Sequence, residues 1–546
     1  MSLTDGDENG FWRRRDVFVA GVVLAVFLVA QVWLRPHSKA RQREPPYINS
    51  RIPFIGHIIG MMRYGAKYFD IVNKEKRHPV FTLPMLSTRN YIVSDATLAG
   101  HIQRNNKTLS FYALIVEVTR RIIAFDKNAA RISTHNMDGE HGPGGLMPAV
   151  HEMMNRLLAP GPALDAITAL QMEHFTSMLN SAVPPHGDAI VANLYAWQRH
   201  VLSLCNAYAI YGPENAFAVQ PELEEDFWTF EDGMLGLVVD IVPSITARTA
   251  HFARKRVLDG LIEYVRHERY KKACPLIQER VQTNLAFGMS KEMAGHAELI
   301  LMFGIMGNAV PSNFWLLSHL FSRPDLLERI RSELELALDL SSPADGRKEM
   351  TVSIAAKRIN IKSCPLLYSC YREALRDISL LTSARMVMKD TLIPSDATGD
   401  KGEYLLRANS IVQIAGGVIH QEPSIWGEDA DEFNPERFLV KQAGNYTSTS
   451  RTALPLPPGV PSSAFRAYGG GTVICPGRHF AQTELMLFAA VLALGFDIFE
   501  ADGATLKVPP KDDTRIPLSV MKPTYDPRVQ IRRRQGWEAV RWEVGL

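Results

Sequence analysis

One stretch constrains this chain more than any other. Ala464-Phe465-Arg466-Ala467-Tyr468 runs into Gly469-Gly470-Gly471, then Thr472-Val473-Ile474-Cys475-Pro476-Gly477-Arg478, and a long apolar helical pattern follows. Three successive glycines let the backbone turn sharply and let a flat partner approach it closely. The loop offers one soft ligand, the Cys475 thiol, with few side chains around it. A thiolate in such a cradle suits iron held in a planar macrocycle. A buried structural cysteine after a flexible glycine loop is the other reading of these residues.

Three further segments stand upstream in order. Pro45, Pro46 and Pro53 follow an apolar N-terminal run, Glu373-Ala374-Leu375-Arg376 lies on a helical pattern, and Phe433-Asn434-Pro435-Glu436-Arg437-Phe438 precedes the glycine loop. Tyr468, Gly471, Cys475 and Gly477 match the aromatic-x-x-Gly-x-x-x-Cys-x-Gly loop of the cytochrome P-450 superfamily, which the whole chain resembles. That resemblance implies a mainly α fold with small β-sheets, haem b with Cys475 as its axial ligand, and an oxidoreductase of the monooxygenase type. It implies a buried structural ion network of Glu373, Arg376 and Arg437. It assigns Tyr468, Gly471, Arg385, Arg478 and His151 to the cofactor, the two arginines and the histidine toward its propionates. His151 stands where most relatives carry a tryptophan. Position 473 is Val where many relatives place a basic residue, so that contact is lost or replaced, with Arg466 a candidate.

Residues 17–34 form an apolar run broken only by Gly21 and Gln31, with Trp12 and Trp33 near its ends. Eighteen helical residues span about 27 Å, close to a bilayer core. A retained anchor is favoured over a cleaved signal peptide because Arg35-Pro36 follows instead of a small-residue cleavage site. The expected organisation is therefore a membrane anchor and basic linker over 1–44 and a haem-thiolate catalytic domain over 45–546. The resemblance places that domain on the cytosolic side of the endoplasmic reticulum membrane, attached by a single pass. The five cysteines contain no Cys-x-x-Cys pair, and an odd count of free thiols fits a reducing compartment. A net charge of +2 gives nothing for nucleic acid to bind.

The longest apolar helical pattern, residues 294–321, contains Asn308-Ala309-Val310-Pro311-Ser312-Asn313-Phe314-Trp315. Related helices commonly carry an acid-threonine pair where Val310 and Pro311 stand here. The segment is similar instead to the subgroup of cholesterol 7-alpha-hydroxylase and prostacyclin synthase, and it makes Asn308 and Ser312 the candidate catalytic residues. An apolar pocket is expected from 111–125, 304–312, 379–382 and 518–520. The implied partners are NADPH-cytochrome P-450 reductase, with cytochrome b5 as a second donor, and an apolar terpenoid, steroid-like or polyketide substrate of fungal secondary metabolism. Two alternatives stay open: a haem-thiolate isomerase or dehydratase acting on a peroxide without reductase, and a non-enzymatic haem or lipid carrier.

Helices are expected over 64–76, 96–104, 148–158, 163–182, 198–210, 222–237, 250–285, 322–339, 362–377 and 477–494, with a hairpin at 80–83 and 90–93. The stretch 111–125 has no clean period. The segment 48–62 reads as an ordered strap, and 440–463 as a long exposed loop.

Overall fold

The computed structural model describes residues 43–52, 55–85, 88–139, 144–338, 340, 350–380, 382–396, 402–439, 456–513 and 520–545. The apolar run 17–34, Pro53, most of the loop 440–463 and the pocket segment 518–519 lie outside them.

The organising element is the helix Lys291–Phe321, 31 residues and about 46 Å long. Ser290 caps it, its Oγ accepting the Met293 N–H at 3.1 Å. Both flanks are apolar, so nearly every side chain beyond Ala309 is buried among neighbouring helices. It is long and apolar enough to cross a membrane by composition, but most of it is inside the protein. Pro311 has no N–H to donate to Gly307, yet the helix continues through it to Phe321.

Around this axis pack the helices Leu194–Tyr211, Arg248–Arg266, Pro365–Ile378 and Arg478–Gly495, and Pro162–Ala182 packs on Leu194–Tyr211 and Arg478–Gly495. A five-stranded sheet lies to one side, in the order Val80–Met85, Thr88–Val93, Ser410–Ala415, Thr382–Val387, Leu109–Ser110. Its register sets Arg385 opposite Val412 on the neighbouring strand. A three-stranded sheet joins Phe496–Glu500, Arg528–Arg533 and Ile190–Asn193. The C-terminal strand Val540–Gly545 runs parallel to Met350–Ala355.

The fold differs from the sequence reading in instructive places. Residues 111–125 contain a regular helix, Phe111–Ile123, started by the Ser110 hydroxyl on the Ala113 N–H and stopped by Ala124 at φ 54°. Its β-branched and aromatic residues hid the period, and its ends carry the signal. The continuous helix expected over 250–285 is two, Arg248–Arg266 and Pro275–Ala286, because Glu268 turns at φ 57° and proline restarts the chain at position 275. Gly233 likewise divides 222–237 into Leu223–Asp232 and Met234–Val239. Part of the expected strap is the helix Gly56–Tyr64.

Candidate functional site

The glycine loop is fixed by its own backbone. The Cys475 N–H donates to the Tyr468 carbonyl at 3.0 Å, and Gly469 N–H donates to Arg466 at 2.9 Å. Gly469 and Gly471 sit at φ 71° and 70°, where a side chain would be strained. Helix Arg478–Gly495 begins three residues after Cys475. The thiol is pushed up by burial and pulled down by the Gly477 amide, the Arg478 charge and the Arg478 amide. Arg478 Nη1 donates to the Cys475 carbonyl at 3.0 Å, so this guanidinium braces the loop. A Cβ added to Gly477 would meet only Cys475 Sγ, at 3.8 Å.

Behind the loop lies the ion network. Glu373 and Arg376 are both fully buried, one turn apart on Pro365–Ile378. Arg376 Nε and Nη2 grip Glu373 in a fork, each at 2.8 Å. Glu373 Oε1 also accepts from Arg437 Nε and the Asn434 N–H, both at 3.0 Å. The carboxylate thus receives four donors, three on Oε1 and one on Oε2. Arg376 holds the carbonyls of His420, Ala430 and Glu432 as well, the latter two at 2.7 and 3.1 Å. Arg437 is balanced by Asp429, at 2.9 Å.

Two residues that the sequence did not single out connect this network to the loop. The Tyr371 and Tyr468 hydroxyls bond directly, tying the helix to the aromatic position of the motif. His420 Nε2 accepts the Arg466 N–H at 2.8 Å, while Nδ1 faces the Ser379 carbonyl at 3.1 Å. Those two contacts require a neutral ring protonated on Nδ1. Burial, then the charges of Arg376 and Arg466, lower its pKa to about 3. Neither contact has a short-range signal in the sequence.

A cavity of about 420 Å³ opens beside the loop, lined by Gln103, Phe111, His151, Arg385, Thr472 and Val473 among others. His151 and Arg385, far apart in the chain, meet here. Burial lowers the His151 pKa, opposed by the Thr472 carbonyl, and the ring stands edge-on to Tyr112 at 6.2 Å. Arg385 is only 2% exposed, donates to the Ser383 hydroxyl at 3.1 Å, and lies 5.8 Å over the Phe111 ring. Arg466 is also buried. Among the described residues neither guanidinium pairs with a carboxylate. Burial brings the pKa of each down to about 10, and Arg385 adds to the effect on Arg466. Two buried, mutually repelling cations call for an anion. The two carboxylates of a porphyrin, with a thiol one loop away, meet that need, so the residues present fit a haem.

On the long helix, Gly304, Asn308 and Ser312 share a face at intervals of four. A Cβ at Gly304 would meet nothing within 4 Å. Asn308 Nδ2 donates to the Gly304 carbonyl at 3.1 Å, and the Ser312 hydroxyl to the Asn308 carbonyl at 2.7 Å. Asn308 is half-buried and Ser312 is buried. The face is open at Gly304 and closed at Ser312. No group of three His, Cys, Asp or Glu side chains among the described residues could hold a metal ion.

A family model described as cytochrome P-450 matches residues 251–527. A cytochrome P-450 monooxygenase of Gibberella zeae is 29% identical over 100% of this chain and 98% of its own length. A cholesterol 7-alpha-monooxygenase of Cricetulus griseus is 22% identical over 92% of this chain and 96% of its own. Among solved structures, a retinoic acid-bound cyanobacterial CYP120A1 superposes with a TM-score of 0.64 at 18% identity, covering 90% of this chain and 99% of that one. The fungal and cholesterol-hydroxylase likeness agrees with the subgroup read from residues 308–315.

Proposed function

This chain belongs to the cytochrome P-450 family, and from that premise we propose that Cys475 supplies the thiolate of a haem-thiolate monooxygenase acting on an apolar secondary metabolite. The protein is an oxidoreductase whose cofactor is cysteine-ligated haem, and such enzymes take electrons from a redox partner. A haem held by Cys475 would supply dioxygen activation, with the cysteine sulfur donating electron density that favours O–O cleavage.

The chain's own residues have separable tasks. The Gly477 and Arg478 amides face the sulfur and stabilise its negative charge. Arg478 and the Tyr468 carbonyl hold the loop that aims it. Arg385 and His151 receive the cofactor's carboxylates from the cavity side. Phe111–Ile123 and the open face at Gly304 and Asn308 present the apolar walls that exclude water and orient substrate. NADPH-cytochrome P-450 reductase is the proposed electron donor, with cytochrome b5 as a second. Residues 17–34 are proposed to anchor the protein in the endoplasmic reticulum membrane by a single pass.

The observation that carries this reading is the pair of acid-free buried guanidiniums beside a cysteine loop. The carbon monoxide difference spectrum of the reduced protein tests it. A thiolate-type band is expected, and a histidine-type band, or no porphyrin at all, overturns it. A second reading is favoured by one feature. The Ser312 hydroxyl is turned into its own helix and no acid-alcohol pair accompanies it, so this helix lacks the common proton donors that a monooxygenase would use. Product formed from an endoperoxide without NADPH and reductase would establish an isomerase; product dependent on NADPH, reductase and O2 establishes the monooxygenase.

A further inference from the structure

Gln103 ends the helix Ala96–Arg104 and lies far from the cysteine motif in sequence, yet it sits directly on that motif's glycines. A Cβ at Gly470 would fall 2.6 Å from the Gln103 amide, and one at Gly471 would fall 2.7 Å from the Gln103 carbonyl oxygen. Two of the three glycines are therefore spaces for Gln103. With the amide oriented to match its neighbours, Oε1 accepts from Arg466 Nη1 at 3.2 Å, Arg466 Nη2 at 2.7 Å and the Gly470 N–H at 3.1 Å. That saturates the oxygen and leaves the Nε2 end of the amide as its donor side. Gln103 is buried, and it lines the same cavity as Arg385, His151 and Val473. Val473 offers no hydrogen bond there.

We propose that Gln103 Nε2 is a donor to a carboxylate of the haem, replacing a basic side chain at position 473, and that Arg466 is the positioning residue that fixes the amide. The proposal rests on the haem-thiolate reading. It also explains why a guanidinium is buried at position 466 with no acid beside it among the described residues: its two Nη groups clamp one amide oxygen.

The test is the rate of haem transfer from the reconstituted full-length protein to excess apomyoglobin, measured for four proteins. Gln103→Met and Arg466→Met should each release haem roughly ten- to a hundred-fold faster, the effect of losing one hydrogen bond to a charged group. The double variant should be no faster than Gln103→Met, because Arg466 acts through Gln103. Gln103→Met combined with Val473→Arg should recover most of the loss. Thermal unfolding of each apoprotein separates loss of fold from loss of a donor, and Val473→Arg alone should slow release even if Gln103→Met does not fold. An unchanged rate in Gln103→Met, additive losses in the double variant, or no effect of arginine at position 473 would overturn the proposal. A wild-type protein with no thiolate-type carbonyl band would sink the underlying reading instead.

Discussion

Arg376→Ala is the most informative single perturbation because the structure separates its two tasks. It removes both bonds of the fork to Glu373 and leaves a buried carboxylate held only by Arg437 and the Asn434 amide. Breaking a buried pair in this way costs about 3–5 kcal/mol. It also orphans the carbonyls of His420 and Ala430, adding about 2 kcal/mol at roughly 1 kcal/mol each, while the Glu432 carbonyl keeps Arg437 Nη2 at 3.4 Å. The sum is comparable with the whole stability of a typical protein, about 5–15 kcal/mol, so Arg376→Ala should yield haem-free or aggregated protein. The sharper test is the double variant Glu373→Leu/Arg376→Met. Where a buried ion pair only faces itself, apolar replacement of both partners is often neutral. Here it is not expected to be, because the His420 and Ala430 carbonyls stay unpaired whatever becomes of the charges. The double variant should recover the uncompensated-charge component and retain a deficit of about 2 kcal/mol or more. Urea unfolding of the apoprotein, with haem content after reconstitution, measures both. Full recovery in the double variant would refute the assignment of Arg376 as the holder of residues 420–432; normal haem loading in Arg376→Ala would refute the network altogether.

Cys475→Ser should keep the fold, since the loop is tied by backbone bonds, and lose both the thiolate-type carbonyl band and turnover; turnover at the wild-type level would exclude Cys475 as the ligand. Ser312→Ala should change product formation by less than about three-fold, because its proton already serves the Asn308 carbonyl, whereas Asn308→Ala should lower coupling of NADPH to product by roughly a hundred-fold if its amide positions proton donors. Equal effects from both would remove the distinction. Burial lifts the Glu484 carboxyl to about 7, against the Asn206 amide at 2.7 Å. The folded state then holds that proton more tightly than the unfolded chain, so its contribution is complete below about pH 4 and falls by on the order of 3 kcal/mol as pH rises to 7. Glu484→Gln should melt with the wild type near pH 5 and above it at pH 8; parallel melting profiles would show that Glu484 is ionised throughout.

Short-range patterns carried the legible part of this molecule. The cysteine loop, the Glu373–Arg376 turn and the segment around Arg437 are compact because each must present a fixed geometry within a few residues. The helix Lys291–Phe321 is equally readable, since a buried element is apolar on every side. What was hidden is long-range. Nothing near Gln103 announces that it fills the space left by Gly470 and Gly471. His420 is one polar residue in an irregular stretch, and only the fold brings it against Arg466 and Ser379. The helix Phe111–Ile123 escaped for a different reason. Its residues favour strands locally, and tertiary packing together with the Ser110 cap overrides them.

The two sides of the site are therefore built on different principles. On the cysteine side, each element is held by the next: Glu373 by Arg376, Arg376 on the His420 carbonyl, the His420 ring on the Arg466 amide, and the Arg466 side chain on Gln103 and so on the loop glycines. His420 can serve as a link only while neutral, and burial between two guanidiniums keeps it so. A chain of this kind has few alternative arrangements, because each break leaves a buried polar group unmet. On the helix Lys291–Phe321, Asn308 and Ser312 bond, among the described residues, only to carbonyls of their own helix. Those bonds are local and replaceable, so side chains there can change without disturbing the fold. Rigid construction falls at the cysteine loop, and freedom to vary falls on the helix Lys291–Phe321.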